Sequence, residues 1–138
     1  MNKISSVMTA NVQLARPDQT IRDAATMMAQ SDVGSLPVSD GDRLIGMITD
    51  RDITLRAVAA GKDSQTLVRD VMTKQIRYCY EDDDVLDVAR NMSELRVRRL
   101  PVLNREKRLV GIVALSNIAS GGTEKARDTL LEGVATPH

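Results

Sequence analysis

Gly46, Thr49 and Asp52 lie where a run of branched apolar residues turns into a helix, in Gly46-Met47-Ile48-Thr49-Asp50-Arg51-Asp52-Ile53. Their types and spacing suit the binding of an anion or a sugar. The start of a helix leaves backbone N–H groups unsatisfied at the positive end of the dipole, which favours a phosphate. Thr49 can donate its hydroxyl to a phosphate or ribose oxygen. Asp52 only accepts, and its two carboxylate oxygens match the two hydroxyls of a ribose. Gly46 lets the backbone approach a ligand with no Cβ in the way. The same Thr-x-x-Asp spacing also forms a capping box, so holding the helix end is the competing role.

Other chemistries find little material. The only histidine is His138, the last residue, so a Ser-His or Cys-His pair has no base and no His/Cys set exists for zinc. The run Glu81-Asp82-Asp83-Asp84 invites a divalent metal, but it also reads as an acidic first turn complementing a helix dipole. The expectation is a protein that is not an enzyme and holds no prosthetic group. Lys plus Arg and Asp plus Glu are both 19, so no basic field draws nucleic acid, and Tyr78 and Tyr80 are the only aromatics on which a base could stack. The single cysteine, Cys79, fits a reducing compartment. With no apolar leader and no membrane-spanning stretch, a cytoplasmic location is expected.

The elements that must position the turn are written twice. Val7-Met8-Thr9 returns as Val71-Met72-Thr73, Leu36-Pro37-Val38 as Leu100-Pro101-Val102, and Arg43-Leu44-Ile45-Gly46 as Arg108-Leu109-Val110-Gly111. A long period present only twice suggests two packed copies of one unit, with two related clefts about a pseudo-twofold axis. Ile21, Ala24, Ala25 and Met28 form a helical stripe behind Thr20 as cap, and Val85, Val88, Ala89 and Met92 repeat it behind Asp84. Short strands are expected at 11–14 and 75–78, ahead of these helices. Each Leu-Pro-Val and the strand after it form a hairpin. A second helix starts at Asp50 and runs to about Ala60, with a counterpart near Leu115. The reading is mixed α/β (α+β), β-α-β-β-α twice, with units at 1–61 and 67–122, a linker at 62–66 and a helical tail at 123–138.

Val-Met-Thr, Leu-Pro-Val and Gly-h-h-Thr-x-x-Asp (h, apolar), in this order and duplicated, resemble the cystathionine β-synthase (CBS) domain, and the tandem resembles a Bateman module. The likeness covers residues from about 3 to 120. It implies a regulatory module that binds an adenosyl ligand, with AMP or ATP favoured over S-adenosylmethionine or NAD species. It also implies a homodimer forming a disc of four CBS units and an unidentified target protein. The alternative is a ligand-free interaction scaffold.

In this family the turn of one copy faces the strand before Leu-Pro-Val of the other. Thr49 and Asp52 would then face Arg98 and Arg99, whose guanidinium forks suit phosphates. The competing roles for the arginines are a solvated strand edge or an intersubunit ion pair. Val12, Leu14, Ile76 and Tyr78 would bound the adenine, as would Val33 and Val97, unless they are ordinary core. The second copy has Gly111 but Ala114 for the threonine and Asn117 for the aspartate, with Ser116 as a partial substitute. Its cleft, with Val33, Ser35, Gly111, Ser116 and Asn117, is expected to be weak or empty.

Overall fold

The computed structural model describes residues 2–10 and 12–121. The tail at 123–138, with its expected helix, lies outside the described residues. The fold is mixed α/β, and the chain divides into two compact units: Gln13–Ile76, and the described residues up to Val12 together with those from Arg77 onward. Relative to the boundaries 1–61 and 67–122 expected from the repeat, the leaders are exchanged. Each Val-Met-Thr segment folds with the body of the other copy.

In Gln13–Ile76, helix α1 (Ile21–Ser31) is closed at the expected cap, Thr20, by a capping box with Asp23. Thr20 Oγ1 accepts from Asp23 N at 3.1 Å, and Asp23 Oδ2 accepts from Thr20 N at 3.3 Å. Its stripe buries Ile21, Ala24 and Met28 but leaves Ala25 exposed. Strands β1 (Ser35–Asp40) and β2 (Arg43–Thr49) pair antiparallel across a turn at Gly41, whose φ of +66° needs a residue without Cβ strain. Both strands run longer than the sequence suggests, so the polar turn shrinks to Gly41-Asp42.

Pro37 sits opposite Met47, and both backbone groups of Met47 are turned away to Thr73, at 2.9 and 2.8 Å. The proline therefore removes no bond from the β1–β2 ladder. Of the strand expected at 11–14, the described residues 12–14 do not pair; Ala15, just beyond it, makes a single parallel bridge to Val38.

Helix α2 is only Asp50–Asp52 and continues as a π-helix over Ile53–Val58. A plain helix to Ala60 was expected. The Thr54 hydroxyl donates to the Asp50 carbonyl at 3.0 Å, a side-chain bond that competes with the α ladder. The wider turns close through bonds such as Ala59 N to Thr54 O at 2.9 Å.

The other unit repeats the plan. Strand β3 (Cys79–Tyr80) pairs parallel with β4 (Arg99–Leu103), which pairs antiparallel with β5 (Leu109–Ala114). Helix α3 (Val85–Leu95) buries all four expected stripe residues, and α4 (Leu115–Gly121) follows β5. The short strand expected at 75–78 begins instead at Cys79, the equivalent of Ala15, because that residue meets Val102. Pro101 is opposite Ile112, whose N–H and C=O go to Thr9 at 2.9 and 2.8 Å. Each unit has its own core, one around Ile48, Leu36 and Val71 and one around Met92, Leu100 and Ile118. Among the described residues no helix is long and apolar enough to cross a membrane.

Cys79 is 4% exposed, and burial, with a smaller contribution from Asp83, pushes its thiol from 9.0 to about 12. Below about pH 9 the thiol is protonated in both folded and unfolded chains. Between 9 and 12 only the unfolded chain releases the proton, so stability falls as pH rises through this window. A thiol-reactive dye is expected to leave Cys79 unmodified at neutral pH until denaturant unfolds the chain. Rapid labelling of the native protein would contradict this burial.

Candidate functional site

The strand-to-helix turn at Thr49 is held by a reciprocal pair. Thr49 Oγ1 accepts from Asp52 N, and Asp52 Oδ2 accepts from Thr49 N, both at 3.0 Å. The capping role therefore exists. Asp52 is only 9% exposed, and its carboxylate does more than cap. Thr73 donates its hydroxyl to Oδ1 at 3.1 Å and to Oδ2 at 3.3 Å. Arg56 Nε stands 3.9 Å from Oδ1, while its Nη1 donates to the carbonyls of Met72 and Val71 at 3.2 and 3.5 Å. A carboxylate offers about four lone-pair sites. The Thr49 N–H and the Thr73 O–H use about half of them, leaving acceptor capacity for a diol.

Thr73 and Arg56 are the residues that motif reading missed. The signal for Thr73 was present in the repeated Val-Met-Thr, which reads as fold until the leader is seen against the other copy's turn. Gly46 has a similar explanation. A Cβ there would meet Met72 Sδ at 2.8 Å and the Thr73 carbonyl oxygen at 2.9 Å. The glycine thus admits the leader's backbone.

The second copy keeps the frame and loses part of the chemistry. A Cβ at Gly111 would meet the Thr9 carbonyl oxygen at 2.7 Å and Met8 Sδ at 2.9 Å, matching Gly46. Asn117 Oδ1 accepts from Ala114 N at 2.9 Å, so half of the capping box survives. The other half needs a hydroxyl that Ala114 lacks. In both copies the helix start is tied to the preceding hairpin: Asp50 N donates to Gly34 O at 2.9 Å and Leu115 N to Arg98 O at 2.8 Å. A side chain at Gly34 would crowd Asp50 Oδ2, at 3.0 Å from its Cβ, whereas the second copy carries Arg98 there.

The residues assigned to the stronger cleft divide between the units. Gly46, Thr49, Asp52 and Ile76 belong to Gln13–Ile76; Val12, Tyr78, Val97, Arg98 and Arg99 belong to the other. Of the weaker set, Val33 and Ser35 lie in Gln13–Ile76, and Gly111, Ser116 and Asn117 in the other. Arg98 and Arg99 are exposed, and neither makes an ion pair with a described residue. Val33 and Val97 each pack on their own unit's core. Tyr78 is 37% exposed and meets Tyr80 edge-on at 5.7 Å.

Two carboxylates of the acidic run, Asp82 and Asp83, are tied up in protein contacts. Arg105 grips Asp82 through Nε at 3.0 Å and Nη2 at 2.9 Å and lies 4.1 Å above the Tyr80 ring, holding the Asp82 carboxyl below its usual range. Asp83 Oδ2 accepts from Tyr80 N at 2.9 Å. Among the described residues no group of three potential ligands could hold a metal ion.

Two exchanged-leader units, each with a hairpin feeding a capped turn, define a module built twice on one plan. The chain belongs to the CBS domain family, whose model matches residues 4–58 and again 68–121. It is 40% identical over 119 residues to the CBS domain-containing protein YhcV of Bacillus subtilis, covering 86% of this chain and 84% of the relative. It is also similar to the crystal structure of Hypoxic Response Protein I with two coordinated zinc ions, at 36% identity and a TM-score of 0.77, over 87% of this chain and 98% of that one. A third likeness is to CBSX2 in complex with AMP, at 26% identity and a TM-score of 0.75, over 87% and 95% of the two chains.

Proposed function

We propose that the chain is a non-catalytic regulatory module that binds one adenine nucleotide, in a composite cleft using Gly46, Thr49 and Asp52 with Val97, Arg98 and Arg99. The contrast between the two turns carries the reading. On matched backbones the first turn offers a hydroxyl and a carboxylate, and the second an alanine and an amide. A charge-assisted bond to a ribose hydroxyl is available only at Asp52. The AMP complex of a similar structure supports an adenosyl ligand. The ligand acts by favouring one arrangement of the module, which changes its contact with a target protein.

Calorimetric titration of the full chain with AMP, ADP, ATP, S-adenosylmethionine and NADH tests this reading. Saturation near one nucleotide per chain is expected, with Arg99→Ala weakening it by roughly tenfold or more through loss of a charge-assisted contact. Absence of heat and of any melting shift with all five ligands would leave the scaffold reading.

The module is also proposed to work as a homodimer. Leu55 and Val58, on the π-helix, are 50% and 68% exposed, a wasteful display of apolar surface for a single chain. Sedimentation velocity is expected to show a dimer that Leu55→Asp with Val58→Asp converts to monomer. A wild-type monomer at tens of micromolar would refute it.

A further inference from the structure

One hollow of Gln13–Ile76 shares Arg56 and Thr73 with the turn at Asp52 and is otherwise lined by residues not assigned above. It has a volume of about 440 Å³ and is lined by Arg56, Arg69, Asp70, Thr73, Lys74 and Gln75, among others. Three cations face one carboxylate there. Arg56 is fixed by its two carbonyl bonds to the leader, at 3.2 and 3.5 Å. Arg69 and Lys74 are exposed, and neither makes an ion pair with a described residue. Asp70 lines the same hollow and Asp52 stands 3.9 Å from Arg56, so the three cations outnumber the nearby carboxylates by one, and the remaining repulsion is relieved when an anion binds.

The hollow adjoins the candidate ribose acceptor of the same unit through shared side chains. Two of its lining residues touch the Asp52 carboxylate: Thr73 at 3.1 Å and Arg56 at 3.9 Å. A sugar held by Asp52 would therefore bring its phosphoryl groups within reach of this rim. We propose that the Arg56–Arg69–Lys74 hollow binds a terminal phosphoryl group, making the module selective for adenosine di- or triphosphate over the monophosphate. The inference rests on the adenosyl reading for its sugar and on these side chains for its anion. The guanidinium of Arg69 offers a planar fork, and the ammonium of Lys74 a mobile point charge.

The test compares ATP, AMP and inorganic pyrophosphate on the full chain and on the double variant Arg69→Gln, Lys74→Gln. Both side chains are exposed, and unchanged melting temperature confirms that the variant folds. The wild type is expected to prefer ATP over AMP by about tenfold, and the variant to lose that preference while its affinity for AMP stays the same. Pyrophosphate should bind the wild type weakly and the variant not at all. AMP binding as tightly as ATP, or a preference that survives the double substitution, would overturn the assignment while leaving the adenosyl reading intact. Pyrophosphate binding lost in the variant, with no adenosyl ligand bound by either protein, would keep the anion site and remove the nucleoside.

Discussion

Asp52→Ala is expected to abolish nucleotide binding and to lower folding stability by about 2–4 kcal/mol. The stability loss has two sources. Thr49 remains as the cap, but its N–H loses the acceptor that Asp52 supplies from the third helical position. The Thr73 O–H, also partly buried, loses its acceptor as well, and a buried unsatisfied group costs about 1–3 kcal/mol. The contributions overlap, since both act through the docking of one leader. Chemical denaturation reads the stability and calorimetry the binding. A variant as stable as the wild type would mean that the Thr73 contact carries no energy.

Gly46→Ala is expected to cost about 1–3 kcal/mol, the range for overpacking a filled site, and to weaken the ligand as well. The new methyl would stand 2.8 Å from Met72 Sδ and 2.9 Å from the Thr73 carbonyl oxygen. A thioether can rotate away. A backbone oxygen cannot, and Met47 holds this one through its N–H at 2.9 Å. Relief must come from shifting the leader, which pulls the Thr73 hydroxyl off Asp52. Gly111→Ala faces the same obstacle at Thr9, at 2.7 Å, and should cost a comparable amount. Its effect on nucleotide affinity should be small, because the leader it displaces does not reach Asp52. Equal loss of affinity in the two glycine variants would argue that both turns bind, or that neither does.

These expectations show where the sequence was readable. The stripes of α1 and α3, the Thr20–Asp23 box and the two hairpins follow from periodicity and capping chemistry, which are local. The exchange of leaders was hidden because pairing between distant segments leaves no periodic trace. Thr73 bonds to Asp52 across 21 positions, and nothing near either residue announces the other. The π-helix was hidden for another reason: Ile53 to Val58 has the composition of an ordinary amphipathic helix, and the Thr54 hydroxyl diverts its hydrogen bonding. The site was legible as a motif and as an asymmetry. Thr49 against Ala114 and Asp52 against Asn117 are visible in one line of text, whereas the bonds of Arg56 to the Met72 and Val71 carbonyls, 16 and 15 positions away, are not.

The capping and binding roles of Asp52 are separable, because the second copy already shows the substitution that separates them. Asn117 caps Ala114 with an amide oxygen at 2.9 Å. An amide at position 52 should therefore keep the helix end and the acceptor for Thr73, while losing the charge and the second acceptor oxygen that a ribose diol requires. The most direct measurement is calorimetric titration of Asp52→Asn beside Asn117→Ala, with melting temperatures recorded for both. The prediction is that Asp52→Asn melts within a few degrees of the wild type and binds nucleotide at least tenfold more weakly, whereas Asn117→Ala binds with wild-type affinity and stoichiometry. Undiminished binding by Asp52→Asn, or equal loss in Asn117→Ala, would contradict a single cleft built on the first turn.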